Sequence, residues 1–526
     1  MFRKNINLKN KNDYFVIKLI MLSIFLLFAV TPLLNLLLNI NADNFRNVIT
    51  SVNFNEVILN SLFSTTVSTI ISVSIAYALA VLTERTNLKH KKVFRVIFTL
   101  PMLIPSISHG MGLIILLGNN GILTNLLNLN SGIYGLKGIV VGSILYSFPV
   151  AYLMFADVMK YEDSTAYEAA EILGVPRIKQ FKDITLPYLK KPLISIVFCI
   201  FSLIITDYGV PLMVGGKYKT LSLVMYQEVI GQLNFGKGAV YGLFLLIPAF
   251  IAFVLDFISK KQNNGNNTII REFNFDKGNN KLSFILCSIF SLIISLPLFS
   301  FIIIAFVAKY PSDLNFTFAN FSNALNYNAG KYLLNSIFIA LCTATVGVTI
   351  AFIVAYLSSR LKGNKTQWLH LLALLTAAIP GMALGLSYVL TFKNSFIYGT
   401  FVILIIVNMI HFISSPYMMM YNSLSKINGN LETVGEIMGI NRYHMIKDIF
   451  IPMCKSTLLE MFTYYFVNCM MTISAVSFLS NSTTRPASLL ISQFEAQMQL
   501  EYAAVVSLLI FAINLVMKYL MRKKHI

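Results

Sequence analysis

The chain has 526 residues, of which 56% are hydrophobic and only 12% are charged, and its formal net charge is +19. Soluble domains carry a charge on about 25% of their residues, so this composition excludes an ordinary soluble protein and indicates a membrane protein. The positive charge does not indicate nucleic-acid binding, because no soluble domain combines basic and aromatic residues in one patch.

Twelve apolar segments are predicted to cross the membrane as helices, since about 20 helical residues span the ~30 Å of hydrocarbon. The predicted spans are 15–40, 56–82, 96–118, 137–158, 192–212, 239–259, 282–308, 332–357, 369–391, 398–421, 456–478 and 500–519. The first span is too long for the apolar core of a signal peptide and lacks a small-residue cleavage site. We therefore expect it to remain as an anchor.

Lysine and arginine are distributed unevenly among the loops between these spans. If the N-terminus is cytoplasmic, most of the 41 basic residues fall in cytoplasmic segments. This distribution follows the positive-inside rule. It predicts a multi-pass protein of the cytoplasmic membrane with both termini in the cytoplasm.

Residues 260–281 are rich in Asn, Gly and charge and are predicted to be a cytoplasmic linker between two halves, 1–259 and 282–526. The stretches that begin at Asn60 and Asn335 align without gaps, and each ends in an arginine, Arg85 or Arg360. The same offset pairs Pro105 with Pro380 and Gly110 with Gly385. An even number of spans precedes each copy, so we expect parallel repeats around a central pathway.

A polar segment, EAAEILGVPRIKQFKDITLP at 168–187, interrupts the apolar pattern of the first half. Thr165 and Glu168 have the spacing of a capping box, which predicts that a short helix begins there. Gly174 can adopt the left-handed conformation that ends a helix, and Pro176 prevents its continuation. A helix this short is not stable alone in water, so it needs a groove on this protein or on a partner.

A related segment, LETVGEIMGINRYHMIKDIFIP, follows the fourth span of the second half. Its alignment with the first segment pairs Glu171 with Glu436 and Gly174 with Gly439. One such helix would be consistent with a solvated loop. Two related helices, one in each half, indicate a partner with two lobes.

The first segment resembles the EAA signature, EAA-x3-G-x9-I-x-LP, of permease subunits of binding-protein-dependent ABC importers, and it matches every signature position. In that family the segment is a coupling helix that docks in a cleft of the ATPase subunit. Within an EAA loop at 163–191, the resemblance implies this role for Glu168, Ala169, Ala170, Gly174, Ile184, Leu186 and Pro187. In a degenerate loop at 428–455 it implies the role for Glu436, Gly439, Ile449 and Pro452. Thr433, Val434 and Gly435 replace the EAA triplet there, so the second contact is expected to be weaker.

The resemblance implies an all-α polytopic protein with the type I ABC importer permease fold, in which two six-helix halves form parallel repeats. The implied partners are an ABC ATPase subunit, in two copies, an extracytoplasmic substrate-binding protein and the lipid bilayer. The fused double layout resembles the iron(III), thiamine and 2-aminoethylphosphonate branch of the family. The segments that begin at Thr206 and Thr472 are similar to the 2-aminoethylphosphonate permeases, which makes that compound the predicted substrate. Iron(III) or thiamine is the alternative.

We expect no ATP site in the chain and no enzymatic activity, because ATP hydrolysis is assigned to the partner. The nearest pattern is GQLNFGKG at 231–238, which has Gly238 where a phosphate loop needs Ser or Thr. The sequence has no HExxH or CxxC spacing, so we expect no metal site and no cofactor, with the five cysteines as thiols.

An ion-coupled secondary transporter is the alternative from another class. Such a transporter usually places ionisable residues within its spans. The candidates here are Asp207, Glu228, His109 and His411. Asp207 is predicted either to stabilise a helix end or to line the substrate pathway, and the histidines are predicted to be packed. The duplicated EAA-like loops favour the ABC permease.

Overall fold

The computed structural model describes residues 2–128, 132–160, 162–261, 281–361 and 364–523. The predicted linker at 260–281 therefore lies outside the described residues except at its two ends. Within the described ranges the chain is nearly all helical, with one two-stranded antiparallel sheet. This confirms the predicted all-α polytopic class.

The first predicted half forms long apolar helices joined by short ones. The α-helices are α1 Phe2–Phe25, α2 Thr31–Leu38, α3 Ala42–Ile49, α4 Phe54–Glu84, α5 Lys91–Thr99, α6 Ser106–Leu117, α7 Ile122–Leu126, α8 Leu136–Lys160, α9 Thr165–Ile172, α10 Arg177–Gln180, α11 Leu186–Ile205, α12 Gly209–Val214, α13 Leu221–Tyr226 and α14 Phe235–Lys261. π-helical turns lie at Leu26–Val30, Phe181–Thr185 and Gln227–Gly231, and a 3-10 turn lies at Pro101–Leu103.

The second predicted half follows the same order and adds a β-hairpin. Its elements are α15 Lys281–Ala305, β1 Val307–Lys309, β2 Asp313–Phe316, α16 Ala319–Asn326, α17 Ala329–Arg360, α18 Asn364–Leu375, α19 Gly381–Phe392, α20 Phe401–Phe412, α21 Ser414–Ser425, α22 Asn430–Ile437, α23 Arg442–Met445, α24 Ile451–Met453, α25 Lys455–Met471, α26 Leu490–Ala496 and α27 Leu500–Lys523. A π-helical turn lies at Ile446–Phe450, and 3-10 turns lie at Thr376–Ala378 and Ala487–Leu489. In the hairpin, Val307 pairs with Phe316 and Lys309 with Asp313.

Within the described residues, nine helices are long and apolar enough to cross a membrane, and two bent helix pairs bring the number to as many as 11. The bent pairs are Thr366–Ala378 with Gly381–Phe392, at 108°, and Phe401–Phe412 with Ser414–Ser425, at 54°. The predicted span 456–478 is shorter in the structure, since α25 has 17 residues and ends at Met471.

The breaks in the third span of each half occur at equivalent prolines. Pro105 immediately precedes α6, and Pro380 immediately precedes α19. Proline has no N–H to donate and disfavours helical conformation in the preceding residue. The sequence therefore predicts the positions of these breaks, while the 108° angle depends on tertiary packing.

The first span of each predicted half packs against the other half. α2 contacts α19, and α15 contacts α5 and α6. The Tyr388 hydroxyl donates to the backbone carbonyl of Phe28 at 2.6 Å, and the Asn514 side-chain amide donates to Leu103 O at 3.0 Å. Buried polar contacts of this kind stabilise helix association in membranes.

Two pairs of hydrogen bonds recur at equivalent positions of the halves. Ser61 Oγ accepts from Leu221 N at 2.7 Å, and Ser336 Oγ accepts from Ala487 N at 2.8 Å. Ser222 Oγ donates to Asp207 O at 2.7 Å, as Ser488 Oγ donates to Thr472 O at 2.8 Å. The first pair of bonds fixes the segment after the fifth span of each half to the second span, and the second pair closes that segment on itself.

Candidate functional site

The EAA segment forms the predicted short helix α9, with one difference at its start. The N-cap residue is Ser164, one position before the predicted Thr165, and Ser164 Oγ donates to Glu168 Oε1 at 2.8 Å. Thr165 Oγ1 instead donates to Asp163 Oδ1 at 2.8 Å. The Asp163 carboxylate also accepts from Thr165 N at 3.2 Å, so Asp163, rather than a Thr165–Glu168 capping box, satisfies the start of the helix.

The end of α9 agrees with the prediction for Gly174. Gly174 has φ +67°, and its N–H donates to Glu171 O at 3.0 Å. Val175 N donates to Ala170 O at 2.9 Å, which completes a Schellman motif. The left-handed φ is the reason that glycine is favoured at this position.

The degenerate segment forms an equivalent helix, α22. Gly439 also has φ +67°, and Ile440 N donates to Gly435 O at 2.9 Å. Gly435 occupies the place of Ala170, where a Cβ atom would lie 2.5 Å from Met445 Sδ. The departure from alanine therefore fits a closer approach of α23, and the helix itself is preserved.

Both helices expose large apolar side chains beside the terminal glycine. Ile172 and Leu173 are 87% and 78% exposed, and Ile437 and Met438 are 81% and 69% exposed. Ala169 is exposed, whereas Ala170 is buried against the protein. We call the surface formed by Ile172, Leu173, Ile437 and Met438 the coupling surface.

A π-helical turn precedes the next membrane helix in both segments. It spans Phe181–Thr185 in the first and Ile446–Phe450 in the second, and Pro187 or Pro452 is the second residue after it. A proline ring clashes with the carbonyl four residues earlier, so a wider turn at this point relieves the clash. Ile184 and Ile449 lie half-buried within these turns, while Leu186, Pro187 and Pro452 are exposed.

Arg85, just beyond the end of α4, holds the first segment. Its guanidinium forms an ion pair with Glu162 and donates to the Tyr167 hydroxyl at 3.0 Å. Tyr167 donates to Glu162 Oε1 at 2.5 Å, and its hydroxyl lies 2.8 Å from Thr185 Oγ1. Burial opposes the charge on Arg85, but the Glu162 carboxylate outweighs this effect and raises the pKa of Arg85. Burial raises the pKa of Tyr167 to about 12, so its hydroxyl stays protonated at neutral pH.

Arg360, the last residue of α17, holds the second segment in a related way. Its guanidinium binds the Glu432 carboxylate through two hydrogen bonds of 2.5 Å. It also donates to Ile427 O at 2.7 Å and lies 5.3 Å from the centre of the Phe450 ring. The alignment that pairs Gly174 with Gly439 places Glu432 at the position of Tyr167. Each half therefore ties its short helix to its second span with an arginine but uses a different partner.

The two short helices lie on the same face of the protein. Phe94 of α5, close to Arg85 in the chain, packs on Phe284 at the start of α15 with ring centroids 5.6 Å apart. From that point α15 crosses to the other face and α17 returns, which brings Arg360 back to the side of Arg85. We call this side the coupling face and the other side the opposite face.

Asp207 lies at the opposite face, after the end of α11. Its carboxylate accepts from Gly209 N at 3.3 Å and from Val210 N at 3.0 Å, at the start of α12. The Ser106 side chain also hydrogen-bonds it. These contacts are those of a residue that stabilises a helix end.

The halves meet at the opposite face next to Asp207. Tyr208 Oη and Ser477 Oγ lie 2.5 Å apart, and Tyr208 stacks on Tyr226 with centroids 4.6 Å apart. Tyr226 in turn stacks on Phe478 at 6.4 Å. We call this contact the seam; it closes the space between the halves on this face.

Away from the seam, α11 of the first half and α25 of the second bring polar side chains near one another. Cys199 of α11 is exposed, and Tyr464 of α25 is close enough to interact with it electrostatically. Tyr146 lies within the same range of both residues.

The segment 231–238 does not have the structure of a phosphate loop. Phe235–Gly238 already belong to the first turn of α14, and Lys237 lies 3.9 Å from Glu228. A helix rather than a strand precedes it. In the part of the chain that the structure describes, no group of three or more His, Cys, Asp or Glu side chains is placed to hold a metal ion.

Sequence reasoning does not identify Glu162, Tyr167 and Glu432 as partners of the two arginines. The alignment places Arg85 and Arg360 at the ends of repeated spans but gives no contact across the fold. The signal in the sequence is that both copies keep an arginine at the same end of the second span, which indicates that each arginine has a partner in the loops nearby.

The family model described as "Binding-protein-dependent transport system inner membrane component" matches residues 72–262 and again 347–524. The chain belongs to this family and is a multi-pass ABC importer permease.

Several ferric and thiamine permeases are similar to the chain. The putative ferric transport system permease protein FbpB 1 of Haemophilus influenzae is 25% identical over 90% of this chain and 79% of its own length. The ferric transport system permease protein FbpB of Actinobacillus pleuropneumoniae is 26% identical over 82% of this chain and 66% of its own length. The thiamine transport system permease protein ThiP of Haemophilus influenzae is 24% identical over 74% of both chains.

A solved bacterial ABC transporter involved in the import of alginate also matches. The likeness covers 50% of this chain and 100% of that chain, at 16% identity and a TM-score of 0.41.

Proposed function

We propose that the chain is a fused double permease that imports ferric ion, with halves at 1–259 and 282–526 around one pathway. α9 and α22 dock on a separate ATPase subunit, present in two copies, and a binding protein delivers substrate at the opposite face. The coupling face and both termini are then cytoplasmic.

The coupling surface carries this proposal. Four large apolar side chains lie exposed beside two glycines of identical φ, on one face of the protein. Burying one such side chain contributes about 1.5–3 kcal/mol, so a partner with two apolar clefts gains affinity from both. In the first half this surface lies within the EAA segment, and the shared backbone geometry supports the same role in the second.

The arginine contacts give the coupling helices a mechanical role. Arg85 connects α9 to α4, and Arg360 connects α22 to α17, so a displacement of either helix moves a long membrane helix with it. ATP-driven closure of the ATPase would draw the two coupling helices together and shift the equilibrium between closed and open seams. Nucleotide release would favour the other state.

Asp207 supports the ABC permease against the ion-coupled alternative. A proton or ion relay needs a carboxylate that can change partners. The carboxylate of Asp207 is instead engaged by two backbone N–H groups at the start of α12. We propose that Asp207 positions Tyr208 at the seam and thereby affects the pathway without binding substrate.

The similarity to ferric permeases over most of the chain favours iron as the substrate. The second candidate is 2-aminoethylphosphonate, because the segments at Thr206 and Thr472 resemble permeases for that compound. These segments include Asp207, Tyr208 and Ser477, which form the seam region.

The test is import into proteoliposomes that contain the permease, its ATPase and its binding protein. We expect ATP-dependent uptake of radioactive ferric ion, and the binding protein is expected to bind ferric ion but not the phosphonate. Uptake of 2-aminoethylphosphonate without iron uptake would reassign the substrate and leave the permease role intact. Uptake driven by an ion gradient without ATP would contradict the ABC mechanism.

A further inference from the structure

The β-hairpin of the second half carries a compact group of aromatic rings at the opposite face. Phe306 stacks on Phe316 with centroids 5.5 Å apart and meets Phe318 edge-to-face at 5.4 Å. Phe316 and Phe318 are 5.1 Å apart, and Phe321 lies 5.2 Å from Phe306. We call residues 306–321 the aromatic hairpin.

Backbone contacts fix the aromatic hairpin to the end of α15. The Asn320 side-chain amide donates to Ala305 O at 3.1 Å and to Val307 O at 2.7 Å. Thr317 N donates to Phe306 O at 2.8 Å. Because Ala305 is the last residue of α15, the depth of the rings in the membrane is set by that helix.

The exposed rings follow the exposed apolar residues at the end of α15. Phe299, Ile302 and Ile303 are exposed near the end of this helix. Phe316 and Phe318 are 71% and 67% exposed just beyond it. The 25 residues of α15 extend about 37 Å at 1.5 Å per residue, which exceeds the ~30 Å hydrocarbon core. The end of the helix, and the rings with it, therefore fall in the headgroup layer.

We propose that the aromatic hairpin is an interfacial anchor whose exposed rings insert into the lipid headgroup layer at the opposite face. Exposed apolar side chains such as Phe and Leu on an interfacial segment insert into the boundary between the headgroups and the acyl chains. The occupant is the bilayer because the rings are fixed to the last residue of a helix that is long and apolar enough to cross a membrane.

The protein side of the hairpin connects this anchor to both halves. Tyr310 N donates to Glu501 Oε1 at 2.6 Å, at the start of α27. The Tyr310 hydroxyl donates to the backbone carbonyl of Asn120, which belongs to the first half. The anchor thus holds the outer ends of both halves at one depth.

Tryptophan fluorescence in vesicles tests the anchor. The chain has a single tryptophan, so Trp368→Phe gives a silent background for Phe316→Trp in the full chain. Ile293→Trp, at an exposed position in the middle of α15, is the reference for the hydrocarbon core. Leu173→Trp, on the coupling surface, is the reference for water.

We expect lipids brominated close to the headgroup to quench Phe316→Trp more than lipids brominated deep in the acyl chain. Ile293→Trp should show the reverse order, and Leu173→Trp should respond to aqueous iodide only. Phe318→Trp provides a second reporter if Phe316→Trp does not fold. The proposal is overturned if both hairpin reporters respond to iodide but to neither lipid. A blue shift on addition of the binding protein, without lipid quenching, would likewise replace the bilayer by that protein as the occupant.

Discussion

Arg85 and Arg360 are the residues on which coupling depends most directly in this account. The Glu162 side chain is only 2% exposed, so removing its arginine leaves a buried carboxylate without its cation. Breaking a buried ion pair in this way costs about 3–5 kcal/mol. We expect Arg85→Ala to lower the amount of substrate imported per ATP hydrolysed, because α9 can then move without α4. Measuring transport and hydrolysis in the same proteoliposomes gives this ratio.

Arg46→Ala is the matched control for this experiment, since Arg46 is exposed on α3, far from the coupling helices. Arg360→Ala should lower the ratio of substrate imported to ATP hydrolysed as Arg85→Ala does. Arg85→Lys should give a ratio between those of Arg46→Ala and Arg85→Ala, because lysine keeps the charge but not the planar geometry. An unchanged ratio in both alanine variants would show that the arginines only stabilise the fold.

The two glycines predict a symmetric effect at one position of the coupling loops. Gly174 and Gly439 share φ +67°, and neither has an atom within 4 Å of an added Cβ. An L-residue in this conformation costs about 1–2 kcal/mol, so Gly174→Ala and Gly439→Ala should impair transport to the same degree. Parallel transport assays of the two variants check this. If only one of the two variants lost transport activity, the left-handed backbone conformation would matter for only one of the two loops.

The charged position predicts an asymmetric effect. Glu168 accepts a hydrogen bond from Ser164 in the first segment, whereas its counterpart Thr433 is exposed in the second. We therefore expect Glu168→Lys to reduce transport more than Thr433→Lys. A charge reversal at a desolvated contact costs several kcal/mol, while one at a solvated rim costs little. Equal losses would place both positions inside the ATPase interface.

At the scale of elements, the coupling helices should bind the ATPase through their exposed apolar ends. Leu173→Asp and Met438→Asp each remove a side chain that we expect to be buried in the complex. The loss is about 1.5–3 kcal/mol for each change, or roughly tenfold to a hundredfold in affinity. Titration of the ATPase against the reconstituted permease measures this loss. Phe396→Asp, at an exposed site on the opposite face, should leave the affinity unchanged; a loss there would indicate general misfolding.

Local signals in the sequence predict much of these elements. Gly174 and Gly439 end their helices because only glycine adopts the required φ without strain, and Pro105 and Pro380 mark the helix breaks. The contacts that depend on the folded chain could not be predicted in this way. Arg85 binds Glu162, 77 residues further along the chain, and the Asp163 carboxylate accepts from both the N–H and the hydroxyl of Thr165 at the start of α9.

The hairpin, and the packing of the first span of each half against the other half, also depend on contacts between distant residues that the sequence does not predict. The predicted span 282–308 covers only the start of the hairpin. The pairing of its two strands is accompanied by contacts with Asn320 and Glu501, which are distant from the turn in the chain. The contact of α15 with α6 joins residues of opposite halves, which repeats within a sequence do not specify.

For the whole molecule, the structure has a closed seam on the opposite face. Cys199 is exposed in this state, whereas Cys287 is buried. We expect a membrane-impermeant maleimide added at the coupling face to label Cys199 in the nucleotide-free complex. Labelling should slow when ATP and vanadate hold the ATPase closed.

Cys199→Ser controls for labelling at other cysteines and should abolish this signal. Tyr208→Phe removes the hydroxyl that contacts Ser477 and should weaken the closed seam, which shifts the equilibrium and lowers the labelling rate without nucleotide. Equal rates with and without trapped nucleotide would contradict alternating access between the halves.

Site-specific photocrosslinking tests most directly whether both short helices dock on the ATPase. A benzophenone amino acid is placed at Leu173 or Met438 in the assembled complex, with Phe396 as the control on the opposite face. After irradiation, we predict a covalent product between the permease and the ATPase subunit from Leu173 and from Met438, and none from Phe396. Products with the ATPase from Phe396 alone, or from neither coupling helix in a complex that hydrolyses ATP, would contradict the account.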